Sequence, residues 1–202
     1  MAVAGYTTPC RTETFQRLLL NAGAFLVNFD YSAITTADGL ATAALEAMED
    51  DTKCLGATRG GGSFVVTRET REPEIDGKRY SFVGGTFVDS VDAHMTGTLV
   101  EITPELFAKL QSGSAETSGK KTSVSFHTRI AADDYLENLV WVGDLSDGGM
   151  VLISLKNALN TSGINLTFTD KGEGTIPFEM HAHQDRVEDY DTPPFEVIFF
   201  KK

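Results

Sequence analysis

Residues 54–103 read CLGATRGGGSFVVTRETREPEIDGKRYSFVGGTFVDSVDAHMTGTLVEIT, and this stretch decides the fold. Gly60, Gly61 and Gly62 free the backbone ahead of Ser63 to Arg68, where Phe64 and Val66 alternate with Ser63 and Thr67 in the period of two that marks a half-buried strand. Arg71 to Gly77 is a polar connection closing on Asp76-Gly77, a hairpin-type turn signal. The chain re-enters as a strand at Tyr80 to Val83, breaks at Gly84-Gly85 and continues from Thr86 to Ile102, with Gly97 expected to bulge or bend it. Thr103-Pro104 starts a helix: a hydroxyl caps the first free N–H groups, and proline occupies the first helical position, where its missing N–H costs nothing. Leu106, Phe107 and Leu110 share one helical face, and Ser112-Gly113 ends it.

On the N-terminal side, the apolar block Leu18 to Phe29 contains Asn21 and Gly23, and its alternation from Val27 to Tyr31 favours a strand with a bend. Thr36 or Asp38 is placed to cap a helix whose Leu40, Ala44, Leu45 and Met48 recur at helical spacing. Glu49, Asp50 and Asp51 follow it, where the helix dipole prefers cations, so this helix is expected to be short or frayed. On the C-terminal side, Gln111 to Ser123 is rich in Ser, Gly, Thr and Lys and reads as a mobile surface loop near 111–123, not as a domain boundary, because a β pattern resumes at Val124. Further strands are expected at Val124 to Ala131, Leu139 to Asp144, Met150 to Lys156, Ile164 to Asp170, Thr175 to His183 and Phe195 to Lys201, with hairpin turns at 147–149 and 171–174. No fixed period repeats. The expectation is a mainly β protein: a single domain over 1–202, an antiparallel β-sandwich or barrel with one or two flanking α-helices and an extended N-terminal arm.

A chain of 202 residues can bury about two thirds to three quarters of its unfolded surface, so it needs no disulfides. Cys10 and Cys54 have neither CxxC spacing nor a Cys/His cluster around them and read as reduced structural thiols. No basic patch leads an apolar core at the N-terminus, and no run approaches the roughly 20 apolar residues of a membrane span, so no membrane partner is expected. The net charge of −12 is spread over both halves. Such a surface does not hold nucleic acid, whose duplex carries about one negative charge per 1.7 Å. It does suit a surface that DNA must pass without sticking.

The best chemical candidate is His181-Ala182-His183. In a strand, Glu179, His181, His183 and Asp185 line one side while Phe178, Met180 and Ala182 line the other. Two histidines at i, i+2 with carboxylates can ligate zinc, but nothing around His94 or His127 in the sequence marks a third ligand. Glu179, His181 and His183 therefore read as a polar or channel-wall face, with no metal and no cofactor. Arg59 to Gly62 lacks the lysine and hydroxyl of a phosphate loop. No serine sits in a nucleophile elbow, and neither cysteine has a histidine near it in sequence. The chain does not read as an enzyme.

The last strand is apolar on both sides: Phe195, Val197 and Phe199 face one way, Ile198 and Phe200 the other. A terminal strand of this kind is either buried centrally or forms a seam with a neighbouring subunit. Lys201 and Lys202 then stop it from extending.

Taken in order, LGATRGG (55–61), the E-x-D-G turn at 74–77, the Gly84-Gly85 restart and LVEITPE (99–105) resemble the central signature of the major tail tube proteins of long, non-contractile-tailed bacteriophages. The resemblance extends through NAGAFLVNFD (21–30), LENLVWVGDLSDGGMVLISLKNALN (136–160), INLTFTDKGEGTIPFEMHAHQD (164–185) and PPFEVIFF (193–200), nearly the whole chain. It implies a β-sandwich with a flanking helix that forms hexameric rings, stacked into a hollow tube around a tape measure protein and ended by tail tip and tail terminator proteins. It also implies a virion location after assembly in the bacterial host cytoplasm, with DNA passing through. A different class of reading is a carbohydrate- or surface-binding β-sandwich module. That reading asks for exposed aromatic residues, whereas Trp141 sits inside an apolar strand.

Overall fold

β6 (Leu136–Leu145) and β7 (Met150–Asn160) are buried along most of their length, because their alternate residues serve two different cores. In the computed structural model, which describes residues 14–185 and 192–202, they form the spine of an antiparallel assembly. One leaf runs β1 (Leu19–Val27), β6, β7 and β9 (Phe195–Phe200); the other runs β2 (Thr58–Arg71), β3 (Phe87–Leu99) and β8 (Ile176–His181). β7 belongs to both leaves: Met150 to Leu155 pair with β9, and Leu159 and Asn160 pair with β8. Leu139, Trp141, Val151 and Leu155 point into the space between the leaves and meet Ala93, Met95, Phe178 and Met180 from the other side. This is the expected sandwich. α2 (Pro104–Leu110), capped by Thr103 as the sequence indicates, adds Leu106 and Leu110 to the same core.

The alternate residues of the first leaf, Leu26, Val140, Val142, Leu152 and Phe200, face outward and are covered by α1 (Ala37–Met48). Thr36 caps α1 through its hydroxyl, which accepts from Gly39 N–H at 3.2 Å. The buried stripe is Ala37, Leu40, Ala44 and Ala47, while Leu45 and Met48 are exposed. Small side chains on that stripe let the helix lie close to the sheet. The acidic run after α1 does not shorten it. The Asp50 carboxylate turns away to accept from Thr52 N–H and hydroxyl at 2.9 and 2.6 Å, and Lys109 of α2 donates to the Thr52 carbonyl at 2.6 Å. These two hydroxyl and amide bonds hold the Asp50 carboxyl below its ordinary range. Burial pushes the Lys109 ammonium the other way, below the usual lysine range.

The bend in β1 is real: register with β6 shifts between Leu20 and Ala24, where Asn21 and Gly23 take positive φ. A Cβ at Gly23 would lie 2.5 Å from the Trp141 indole, whose Nε1 donates to the Ala22 carbonyl at 3.0 Å. Gly97, by contrast, is no bulge. It pairs in register with Gly62 and Phe178, and the Phe178 ring lies where its Cβ would be, 2.7 Å away.

Four other sequence expectations change. Tyr80 to Val83 form no strand; β2 and β3 are joined by the connection 72–86, in which Asp76-Gly77 makes a local turn and Lys78 ties back to Glu72 at 2.7 Å. Gly60 and Gly61 lie inside β2, at an irregularity in its pairing with β3, not before it. The stretch 111–123, read as a mobile loop, carries β4 (Gly113–Ser118) and the first half of β5 (Lys121–Phe126), a hairpin turning at Gly119 with Ser114–Ser125 and Thr117–Thr122 hydroxyl pairs across it. Hydroxyl side chains that read as loop composition can also ladder across strands. Ile164 to Asp170 contribute only an isolated bridge between Thr167 and Thr175. The N-terminal arm through residue 13, with Cys10, lies outside the described residues.

Candidate functional site

No described helix or sheet packs over the outward side of the second leaf, where the β2 side chains are exposed and those of β3 from Asp92 to Thr96 and of β8 from Glu179 to His181 half-buried. Register places Ser63, Val65, Thr67 and Glu69 of β2 beside Thr96, His94, Asp92 and Ser90 of β3, and sets His181 and Glu179 of β8 against His94 and Thr96. Among these residues three are carboxylates and none is Lys or Arg. Pairing sets the geometry: partners across an antiparallel ladder share a face, so two i, i+2 pairs on adjacent strands become one square of polar side chains.

At one end of that square, two residues before His94 on β3, Asp92 lies against both imidazoles. Its carboxylate oxygens are 2.7 Å from His94 Nδ1 and 2.6 Å from His181 Nδ1, and His181 Nε2 is 3.0 Å from Glu179 Oε1. The two rings stand 4.8 Å apart at 34°. His94 and His181 are largely buried, with 17% and 19% of their side-chain surface exposed, and Asp92 is open at 46%. Partial burial raises the cost of charge on Asp92, but the hydrogen bonds from His181 and His94 outweigh it and hold its carboxyl below the ordinary range. Asp92, His94 and His181 together could ligate a metal ion by the proximity of their donor atoms.

The sequence grouped Glu179, His181 and His183, and the structure keeps the first two together and separates the third. β8 ends at His181. Beyond it Ala182 N–H still bonds Ala93 on β3 at 2.9 Å, but His183 N–H bonds Lys156 on β7 at 3.1 Å. The His183 ring packs edge-on against Tyr135 at 5.0 Å, with Nδ1 at 3.2 Å from the Asn157 carbonyl. It has left the row. Asp92 and His94 were missed as members of the cluster. Their D-x-H spacing on one strand mirrors H-x-H on the other, but which two strands pair is not written in local sequence.

Arg59 to Gly62 form no phosphate cradle: Arg59 is hydrogen-bonded to the Glu173 carboxylate, and Gly60 and Gly61 have positive φ with open space around them.

β9 lies at an edge of its leaf. Its partner is β7, and no strand among the described residues pairs with its other side. Phe200 is buried and Ile198 half-buried under the α1 side, and Phe195 packs against Phe64 at 5.9 Å. Of the five expected seam residues these three are used within the chain. Val197 and Phe199, 41% and 65% exposed, are not covered. Other large apolar side chains left open are Leu19 and Leu20 on the opposite edge, and Tyr80, Phe82 and Val83 in the connection 72–86.

No protein-family model matches this chain, and no curated protein matches it. No helix among the described residues is long and apolar enough to cross a membrane.

Proposed function

We propose that this protein is a structural subunit that joins with identical copies into stacked rings, the hollow tail tube of a long-tailed phage, through which DNA passes. The observation that supports this most is the placement of uncovered apolar surface. Val197 and Phe199 lie on one open sheet edge, Leu19 and Leu20 on the other, and Tyr80, Phe82 and Val83 in the projecting connection. Edges of this kind pair with other chains, and a head-to-tail contact whose rotation closes gives a ring. The outward face of the second leaf, with Glu69, Asp92 and Glu179 and neither Lys nor Arg among Ser63, Val65, Thr67, Glu69 and their register partners, suits the wall of a bore that must repel phosphate. On this reading the partners are the chain itself, a tape measure protein in the bore, and tip and terminator proteins at the ends. The site is the virion tail.

The protein should form rings or short tubes in negative-stain images of concentrated samples. Phe199→Glu, at an exposed position, should leave the fold intact by circular dichroism and remove the assemblies. A chain that stays monomeric at all concentrations, or that assembles equally well with Phe199→Glu, would sink the proposal. The carbohydrate-binding reading predicts glycan-array hits instead. Trp141, 9% exposed and hydrogen-bonded to Ala22, is no sugar platform.

A further inference from the structure

Three nitrogen–oxygen contacts meet at the polar square: His94 Nδ1 and His181 Nδ1 on the two oxygens of Asp92, and His181 Nε2 on Glu179. Each needs an N–H to be attractive. Two neutral imidazoles carry one N–H each, and an ionised carboxylate carries none. The three contacts therefore require one more proton than two neutral imidazoles and two ionised carboxylates carry, on a ring nitrogen or on a carboxyl oxygen. Asp92, His94 and His181 thus bring nitrogen and oxygen donors together within 4.8 Å, the donor types that a cation can take in place of a shared proton.

We propose that Asp92, His94 and His181 form a binding site for a divalent transition ion of the zinc class, with Glu179 adding negative charge beside it. Two imidazoles and a carboxylate are the mixed nitrogen and oxygen donors that such ions take, and calcium or magnesium would ask for more oxygens. The donor atoms lie within 4.8 Å of one another. A tetrahedral ion with bonds of about 2.0 to 2.2 Å needs them about 3.4 Å apart, a change that side-chain rotation accommodates on an open sheet face. The backbone need not move: His94 and His181 are cross-strand partners, and Asp92 lies two residues from His94 on the same side of β3. Solvent reaches the site past Asp92, the most exposed of the three ligands. Bound there, the ion draws the two imidazoles and the Asp92 carboxylate together and ties β3 to β8.

Calorimetric titration of the purified chain with ZnCl2, paired with the visible spectrum of added Co2+, tests the site. One ion per chain is expected. His94→Gln, His181→Gln and Asp92→Asn should each weaken binding at least tenfold, while His183→Gln should leave it unchanged. Zinc should raise the melting temperature of the parent protein and of His183→Gln, and not that of His181→Gln. Cys54→Ser, with unchanged binding, separates this site from thiol capture. The proposal is overturned by failure to bind zinc at high micromolar concentration, by binding that survives His94→Gln and His181→Gln in folded protein, or by NMR evidence that His181 carries two protons near neutral pH and does not respond to zinc. None of these outcomes depends on whether rings form.

Discussion

The two outer faces of the sandwich differ in how they are finished. The first leaf turns Leu26, Val140, Val142, Leu152 and Phe200 outward and needs α1 to cover them. The second leaf turns outward mostly Ser, Thr, Asp, Glu and His, with Val65, Phe87 and Pro177 as apolar exceptions among its register partners. One face is thus part of the molecule's core and the other is a working surface. The difference arises from strand patterning: β6 and β7 are apolar at consecutive positions, while β3 from Val91 to Leu99 and β8 from Phe178 to His181 alternate between apolar or glycine and polar residues.

The strongest way to break this comparison is to truncate the side chain at the centre of the cover. Leu40, on the inner side of α1, is fully buried, and Leu40→Ala should destabilise the protein by about 2 to 5 kcal/mol in urea unfolding, from lost transfer energy and the cavity left behind. Val65→Ala on the outward face of the second leaf should change stability by no more than about 0.5 kcal/mol. Equal effects would show that this face is covered after all, or that α1 packs loosely.

A smaller loss is expected where the second leaf presents its inner side. Gly97→Ala puts a methyl group 2.7 Å from the Phe178 ring, which is itself held edge-on by Phe25 at 5.2 Å. Overpacking of this kind costs about 1 to 3 kcal/mol. Measured by thermal unfolding, a loss much smaller than that would mean that the two rings have room to retreat. Thr36→Ala, at the cap of α1, comes next at about 1 kcal/mol, because Gly39 N–H loses its side-chain acceptor.

Local chemistry made much of this architecture legible. Thr36 and Thr103-Pro104 announced both helix starts, and the apolar runs at 139–144 and 150–156 announced the spine. Reading failed where partners are distant in sequence. The run Glu49 to Asp51 looked harmful to α1 because Lys109, which neutralises the carbonyls behind it, lies 58 residues from Asp51. Gly97 looked like a bend because Phe178 was not known to lie over it. Tyr80 to Val83 has the composition of a strand but no partner strand among the described residues, so propensity found nothing there to pair with. For the site, H-x-H was visible and D-x-H was not singled out, since only the β3–β8 register joins them. His183 was misplaced because the chain passes from β3 to β7 after His181, a change of partner that no residue there signals.

The subtlest test concerns a flaw within the covered face. Ser154 is completely buried on β7, between Val140 of β6 and Glu196 of β9 in register, and its hydroxyl has no hydrogen-bond partner among the described residues. A buried hydroxyl without a partner has given up its water and gained nothing, a penalty of about 1 to 3 kcal/mol set against the small packing contribution of one oxygen atom. Ser154→Ala removes the penalty and leaves a void smaller than a water molecule, so it should raise stability by a few tenths to about 1 kcal/mol, seen as a higher urea midpoint at unchanged slope. A drop in stability would mean that the hydroxyl does have a partner, such as a buried water or a main-chain carbonyl reached by rotation. The covered face would then hold a polar contact instead of being the dry side of this comparison.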